Sequence, residues 1–460
     1  MMKRIVTLLG IGFLLFHFLF LWMYTNIDGY FYWAIGEYFK TGVYPFIAPF
    51  IYTKPITISP PLYGVFLAFV SIIPRGDLLL HVLQIMMVAA SAVLLYRILT
   101  SLITPGLTAL SAFLFLVFPA NVIFTGSTMT EIPAQTAMTV YLYLTQKFLR
   151  HGNTSLMGHM LILAACMTLL KYQFLFLFLW NLLYLVRELL KRPARKFSPL
   201  AHMALGMLII GFWVMTNHRV TGVWGLSDTK KMPFYTNFVW DGKHYPPEED
   251  PSVIAIRRYV PITADKYAQY WDLQDYILPQ VNRNWTAVDE LLGNVGIAAI
   301  RTHPLEYAIN GMRVFIKTHG HRAPWWYNLQ TYGTQDPVQP LYCGAIRSIR
   351  FCKPLIMTPY SFPLWNAYVR YSREFYDIFI TSILQFLFLP LLFLVLAERQ
   401  WNKRIYAVIY LLNLLPISYL AMVESRYLIP YYPLIIIIAV LGIQAIALFL
   451  RRAFLGASGR

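Results

Sequence analysis

The sequence is short of charge, and of acids most of all. Charged residues make up 13% of it, with 21 Asp and Glu against 38 Lys and Arg. Soluble domains carry roughly 25%, so composition excludes an ordinary soluble globule, and 58% hydrophobic residues place the chain among membrane proteins. Three cysteines are too few for a disulfide framework. Cys166 lies in an apolar run and reads as core. Cys343 and Cys352 flank a short polar stretch; they close a small disulfide loop if that stretch faces an oxidising compartment, and are free thiols otherwise. No repeat relates the two halves, as transporters often show, and no low-complexity tract appears. The net charge of +17 would suit nucleic acid. The bases, however, cluster at the ends of apolar runs, which is what membrane topology requires. Nucleic acid is excluded.

What is present is a series of apolar runs, several close to the ~20 residues that cross a ~30 Å hydrocarbon core. Residues 5–24 follow Lys3 and Arg4 without an A-x-A-like cleavage site and read as a first span with a cytoplasmic N-terminus. Further runs cover 78–96, 107–125, 134–149, 199–216, 375–396, 405–422 and 427–450. The run 156–190 would make a single helix of about 50 Å, which predicts two helices with Lys171 near their joint. The segment 60–74 is too short to span and reads as interfacial. The expected fold is an integral-membrane all-α bundle of about ten transmembrane helices, with both termini cytoplasmic, in an inner or plasma membrane. It divides into an N-terminal transmembrane module, 1–216, whose first outer segment is 26–76, then an extracytoplasmic domain, 217–373, and C-terminal helices, 374–460.

In that orientation the ionisable residues at the outer surface form a short set: Asp28, Glu37, Lys54, Glu131, Lys171, Glu424 and Arg426. Charges at such depth are costly and face a cavity or one another. Bases there neutralise a phosphate, and an acid takes a proton from an incoming hydroxyl. Each has a plainer reading. Asp28 caps the next helix, Glu131 favours a helix N-terminus, Lys171 snorkels to the headgroups, and Arg426 pairs with Glu424.

Four stretches carry a resemblance: Asp28-Gly29-Tyr30-Phe31-Tyr32 through Gly42-Val43-Tyr44-Pro45; Pro60-Pro61-Leu62-Tyr63; Thr130-Glu131 with Pro133; and Arg426-Tyr427-Leu428-Ile429-Pro430. On these the chain resembles the GT-C superfamily of membrane glycosyltransferases, nearest the branch of protein O-mannosyltransferases and lipid A aminoarabinose transferases. The similarity covers mainly 1–220 and the final helix. It implies inverting transfer of one sugar from a polyprenyl-phosphate donor to an envelope acceptor (lipid, glycan or protein) on the extracytoplasmic face. Asp28 would be the general base. Lys171 and Arg426, with Lys54, would stabilise the leaving phosphate. Glu131 would shape the acceptor side or support a metal, and Tyr32, Glu37, Glu424 and Tyr427 would shape the site. Some relatives place a Glu where Thr53 precedes Lys54-Pro55, so a divalent-metal requirement stays open. His319-Gly320-His321 is a weak metal signal. The stretch 217–373 resembles no known domain. The rival readings are a transporter or flippase for a lipid-linked sugar, and a non-catalytic partner of a glycosylation complex.

Overall fold

In the computed structural model the described residues are 10–12, 14–15, 27–42, 59–74, 76–191, 197–241, 243–259, 277–282, 284–320, 387–420 and 425–456. Every regular element among them is helical. In chain order these are α1 (Ile27–Thr41), α2 (Pro61–Ile72), α3 (Gly76–Leu99), α4 (Pro105–Leu116), α5 (Pro119–Phe124), α6 (Glu131–His151), α7 (Thr154–Leu170), α8 (Leu175–Lys191) and α9 (Phe197–Thr221), followed by α10 (Pro251–Arg257), α11 (Trp285–Thr302), α12 (Pro304–Gly320), α13 (Leu389–Ala397), α14 (Trp401–Leu420) and α15 (Tyr432–Gly456). Four segments are long and apolar enough to cross a membrane: Leu78–Leu99, Tyr172–Lys191, Ser198–Thr221 and Tyr427–Arg451. This is a helical protein with the marks of a membrane protein. Ten crossings is a finer count than these four helices support.

The breaks between helices have local causes. Pro61 and Pro105 open α2 and α4 at positions where no helical N–H is needed. The run 107–125, expected as one helix, is divided: α4 stops at Leu116 and Pro119 starts the short α5. Proline has no N–H to give and its ring collides with the carbonyl of the preceding turn. Asn121 Nδ2 donates to Phe115 O across the break at 2.6 Å. Gly152, at φ 62°, takes the left-handed turn that ends α6, and Asn153 then caps α7 by accepting from Ser155 N. The long run 156–190 is two helices, as its length requires. Lys171 is extended (φ −155°, ψ 116°), and a 3₁₀ turn at Tyr172–Phe174 leads into α8.

Two glycines set the approach of α1 to α2. A Cβ on Gly36 would lie 2.4 Å from Gly64 O, and one on Gly64 would lie 2.5 Å from Tyr32 O. Only hydrogen fits there. The backbones therefore touch, and Tyr32 and Tyr63 meet edge to face with centroids 5.4 Å apart.

The main apolar core is shared by α3, α6, α7, α8, α14 and α15. A second core lies around Tyr235, Phe238, Val288, Leu292 and Val295, where a π-helical stretch, Tyr235–Asp241, packs with α10 and α11. Helix α12 runs antiparallel to α14. Tyr307 and Gly311 lie against Tyr419, Val314 against Ile417, and His319 against Tyr410. Leu305, Ile309, Met312 and Ile316 form an exposed apolar stripe on α12.

The bundle has unlike ends. Arg97, Lys147, Arg150, Lys191, Lys403 and Arg404 lie at one end, near the ends of α3, α6 and α8 and the start of α14. The other end gathers the start of α6, the joint between α7 and α8, the chain after α9 and the end of α14. A cavity opens there.

A candidate active-site cavity at one end of the bundle

The cavity holds about 560 Å³, within the range of small-molecule sites. Its charged floor is made by two helix ends. Glu131 is the first residue of α6, and Lys171 follows the last turn of α7. Both are buried, at 1% and 8% exposure. Lys171 Nζ donates to Glu131 Oε1 at 3.0 Å. Such a pair persists away from water only because each charge answers the other. Glu131 Oε2, equally buried, has no hydrogen-bond partner among the described residues. A carboxylate oxygen at a cavity with its lone pairs unused is an acceptor in wait for a donor.

Aromatic residues wall the floor. Lys171 Nζ sits 5.0 Å from the centre of the Tyr427 ring, a cation–π contact. Tyr32 Oη lies 3.4 Å from Thr130 Oγ1. Behind Tyr32, the buried Tyr63 hydroxyl finds no partner among the described residues. Burial, and after it the Glu131 carboxylate, hold that hydroxyl well above its ordinary pKa, so it stays a protonated donor. Tyr172 donates to Ser59 O at 3.4 Å. Gln173 donates to Tyr431 Oη at 3.2 Å, and its own carbonyl oxygen, Oε1, has no partner among the described residues.

Leu175 and Phe176 of α8 and Ile417 and Leu420 of α14 add apolar wall, and a strap, residues 226–233, contributes Leu226, Ser227, Thr229, Lys230 and Pro233. It is fixed at both ends. On the α9 side, Trp213 Nε1 donates to Leu226 O at 2.8 Å, and Asn217 Nδ2 donates to Gly225 O at 2.8 Å. On the α11 side, the buried Asp289 carboxylate accepts three successive backbone N–H groups, from Lys230, Lys231 and Met232 at 3.1, 3.2 and 2.8 Å. Burial raises the Asp289 carboxyl above its ordinary pKa, and these three donors oppose the rise. Lys230 is exposed and faces the cavity, whereas Lys231 turns away to Glu290 at 3.3 Å.

Of the site residues expected from sequence, Glu131, Lys171, Tyr32 and Tyr427 come together here. Glu37 does not line the cavity; it lies 3.5 Å from Lys40, one turn on along α1. Asp28 is the second residue of α1 and Arg426 lies in the 3₁₀ turn Ser425–Tyr431, but their side chains fall outside the described residues. Lys54, Glu424, Cys343, Cys352 and His321 also lie outside them. His319 is buried with both ring nitrogens engaged, by Phe315 O and Tyr410 Oη. Among the described residues no three His, Cys, Asp or Glu side chains gather as metal ligands.

Sequence reasoning missed Tyr172, Gln173, the strap and Asp289, and it did not single out the Tyr63 hydroxyl. The one available signal was the spacing Asp289, Gly293, Gly296, an acid and two glycines on one face of a helix. Comparison with known proteins adds nothing to this geometry: no protein-family model, no curated protein and no solved structure matches the chain.

Proposed function

We propose that the chain is a membrane glycosyltransferase that moves one sugar from a polyprenyl-phosphate carrier to a hydroxyl of an envelope acceptor. The observation that carries this reading is the Glu131–Lys171 floor, a buried acid with one oxygen unused beside a buried base, in a tyrosine-walled cavity where apolar helices end. A sugar brings many hydroxyl donors and flat apolar faces; a carboxylate oxygen and aromatic rings answer both. The resemblance in the N-terminal and final segments supports the same reading. So does the crowd of basic residues at the opposite end, which favours a cytoplasmic position for that end and an extracytoplasmic one for the cavity.

In this mechanism the acceptor oxygen attacks the anomeric carbon from the face opposite the phosphate. The carbon–oxygen bond to the phosphate breaks with inversion, and the electron pair leaves on the phosphate oxygen. Asp28 receives the acceptor proton. Glu131 Oε2 accepts a sugar or acceptor hydroxyl and fixes its direction. Lys171, with Arg426 and Lys54, balances the charge growing on the leaving phosphate. Lys171 differs from a free cation because Glu131 already holds it. An incoming phosphate has to share or displace that partner.

A transporter reading expects ionisable groups near the bilayer midplane. Glu131 and Lys171 both stand at helix ends instead. Mass spectrometry of lipids co-purifying with the wild type, Asp28→Asn and Glu131→Gln tests the proposal. The expected result is a polyprenyl phosphate or its glycosylated form, with the intact donor enriched in both variants. No polyprenyl lipid in any sample, with the cellular glycan unchanged by Asp28→Asn, would sink it in favour of the transporter or partner reading.

A further inference from the structure

One face of α11 is given over to the strap. Asp289, Gly293 and Gly296 follow one another at helical spacing along that face. A Cβ on Gly293 would lie 2.1 Å from Lys231 Cβ, and one on Gly296 would lie 2.5 Å from Tyr235 N. Gly293 lets the strap's backbone lie directly on the helix at Lys231, and Gly296 does the same for the Phe234–Tyr235 backbone that follows the strap. Asp289 then takes the N–H groups of Lys230, Lys231 and Met232. Three consecutive peptide planes are thereby oriented by one carboxylate. The same strap lines the cavity through Leu226, Ser227, Thr229, Lys230 and Pro233. Asp289 itself does not line the cavity.

We infer that Asp289 is a positioning residue for the cavity: through the backbone of residues 230–232 it holds the strap as a preformed wall, so that α11 sets the width of the site and which substrates fit it. The inference rests on reading the cavity as the substrate site. It follows from what a wall of loop must overcome. Ordering each residue costs about 1–2 kcal/mol of conformational entropy, and hydrogen bonds to a charged acceptor are among the stronger ones available to offset it. With the strap fixed in advance, the substrate does not have to order it. Lys230 gains most, because a long cationic side chain is useful only if its backbone is still.

The test compares full-length wild type with Asp289→Asn in lipid nanodiscs by two readouts. The first is hydrogen exchange of the peptide covering 226–233. Replacing the carboxylate should speed its exchange by about tenfold or more, while peptides from α6 and α8 keep their rates. Unchanged strap exchange would overturn the inference. The second is binding of undecaprenyl phosphate, which should weaken by about tenfold in the variant with little change in melting temperature. A loosened strap with unaltered binding would overturn the inference too. If Asp289→Asn does not fold, Trp213→Phe, which removes the indole N–H donated to Leu226 O at the strap's other end, should produce the same pair of changes. Wild type that binds no undecaprenyl phosphate would defeat the transferase reading. In that case the exchange readout alone decides whether Asp289 holds the strap.

Discussion

The two ends of the bundle treat buried polar groups differently. At the basic end Gln146 is fully used: its amide nitrogen donates to Ser101 Oγ at 2.8 Å, and its carbonyl oxygen accepts from the Tyr406 hydroxyl. At the cavity end the same kinds of group are left with capacity to spare. Glu131 Oε2, Tyr63 Oη, Thr128 Oγ1 and Gln173 Oε1 are all buried without a partner among the described residues. An unsatisfied buried polar atom costs about 1–3 kcal/mol, so four of them in one place are not an economy of folding. The spare hydrogen-bonding capacity at the cavity end is what the proposed substrate site would use.

That contrast can be broken experimentally, beginning with the largest effect. Glu131→Ala removes the carboxylate that accepts from the buried Lys171 ammonium and should destabilise the protein by about 3–5 kcal/mol, read as a fall in melting temperature of the detergent-solubilised chain. The double change Glu131→Gln with Lys171→Met removes both charges and should recover most of that stability while abolishing the proposed transfer. Recovery of activity would mean that the pair is structural only. Gly64→Ala comes next. Its methyl group meets the Tyr32 carbonyl, so α1 and α2 must separate at about 1–3 kcal/mol, and Tyr32 should move away from the floor with loss of activity. At the basic end, Tyr406→Phe leaves the Gln146 oxygen unpartnered and should cost about 1–3 kcal/mol without affecting transfer. The smallest effect sharpens the comparison most. Tyr63→Phe deletes a hydroxyl that has no partner among the described residues, so stability should hold or rise by up to about 1 kcal/mol, yet the proposed transfer should slow. A stability loss equal to that of Tyr406→Phe would show that the Tyr63 hydroxyl is bonded like the rest.

Much of the bundle was legible in the sequence because its signals are local. The 156–190 run was too long for one helix, and the charge of Lys171 marked where it divides. The same reasoning overlooked the break at Pro119 because it weighed the run by its overall hydropathy and not by its proline. Glu131 and Lys171 were legible as costly charges in apolar surroundings, but not as a pair, since they stand 40 residues apart. Glu37 carried the same sequence signal as Glu131 and lies on α1 beside Lys40. Depth in the bundle, which a sequence does not display, separates the two. The strap and Asp289 were illegible for a further reason. Lys230 and Asp289 are 59 residues apart, and nothing in either neighbourhood names the other.

The hydrogen bond between Gln173 and Tyr431 has a consequence for how the protein is made. Its partners are separated by 258 residues, and chains are synthesised at roughly 5–20 residues per second. The wall that Tyr427 and Tyr431 complete therefore reaches the floor on the order of 10–50 s after Gln173 has been joined to the chain. Glu131 and Lys171 wait through that interval. Because Glu131 opens α6 and Lys171 closes α7, each can neutralise the other as soon as α6 and α7 pack, before the C-terminal helices exist. The Lys171–Glu131 pair thus needs none of the C-terminal helices in order to form.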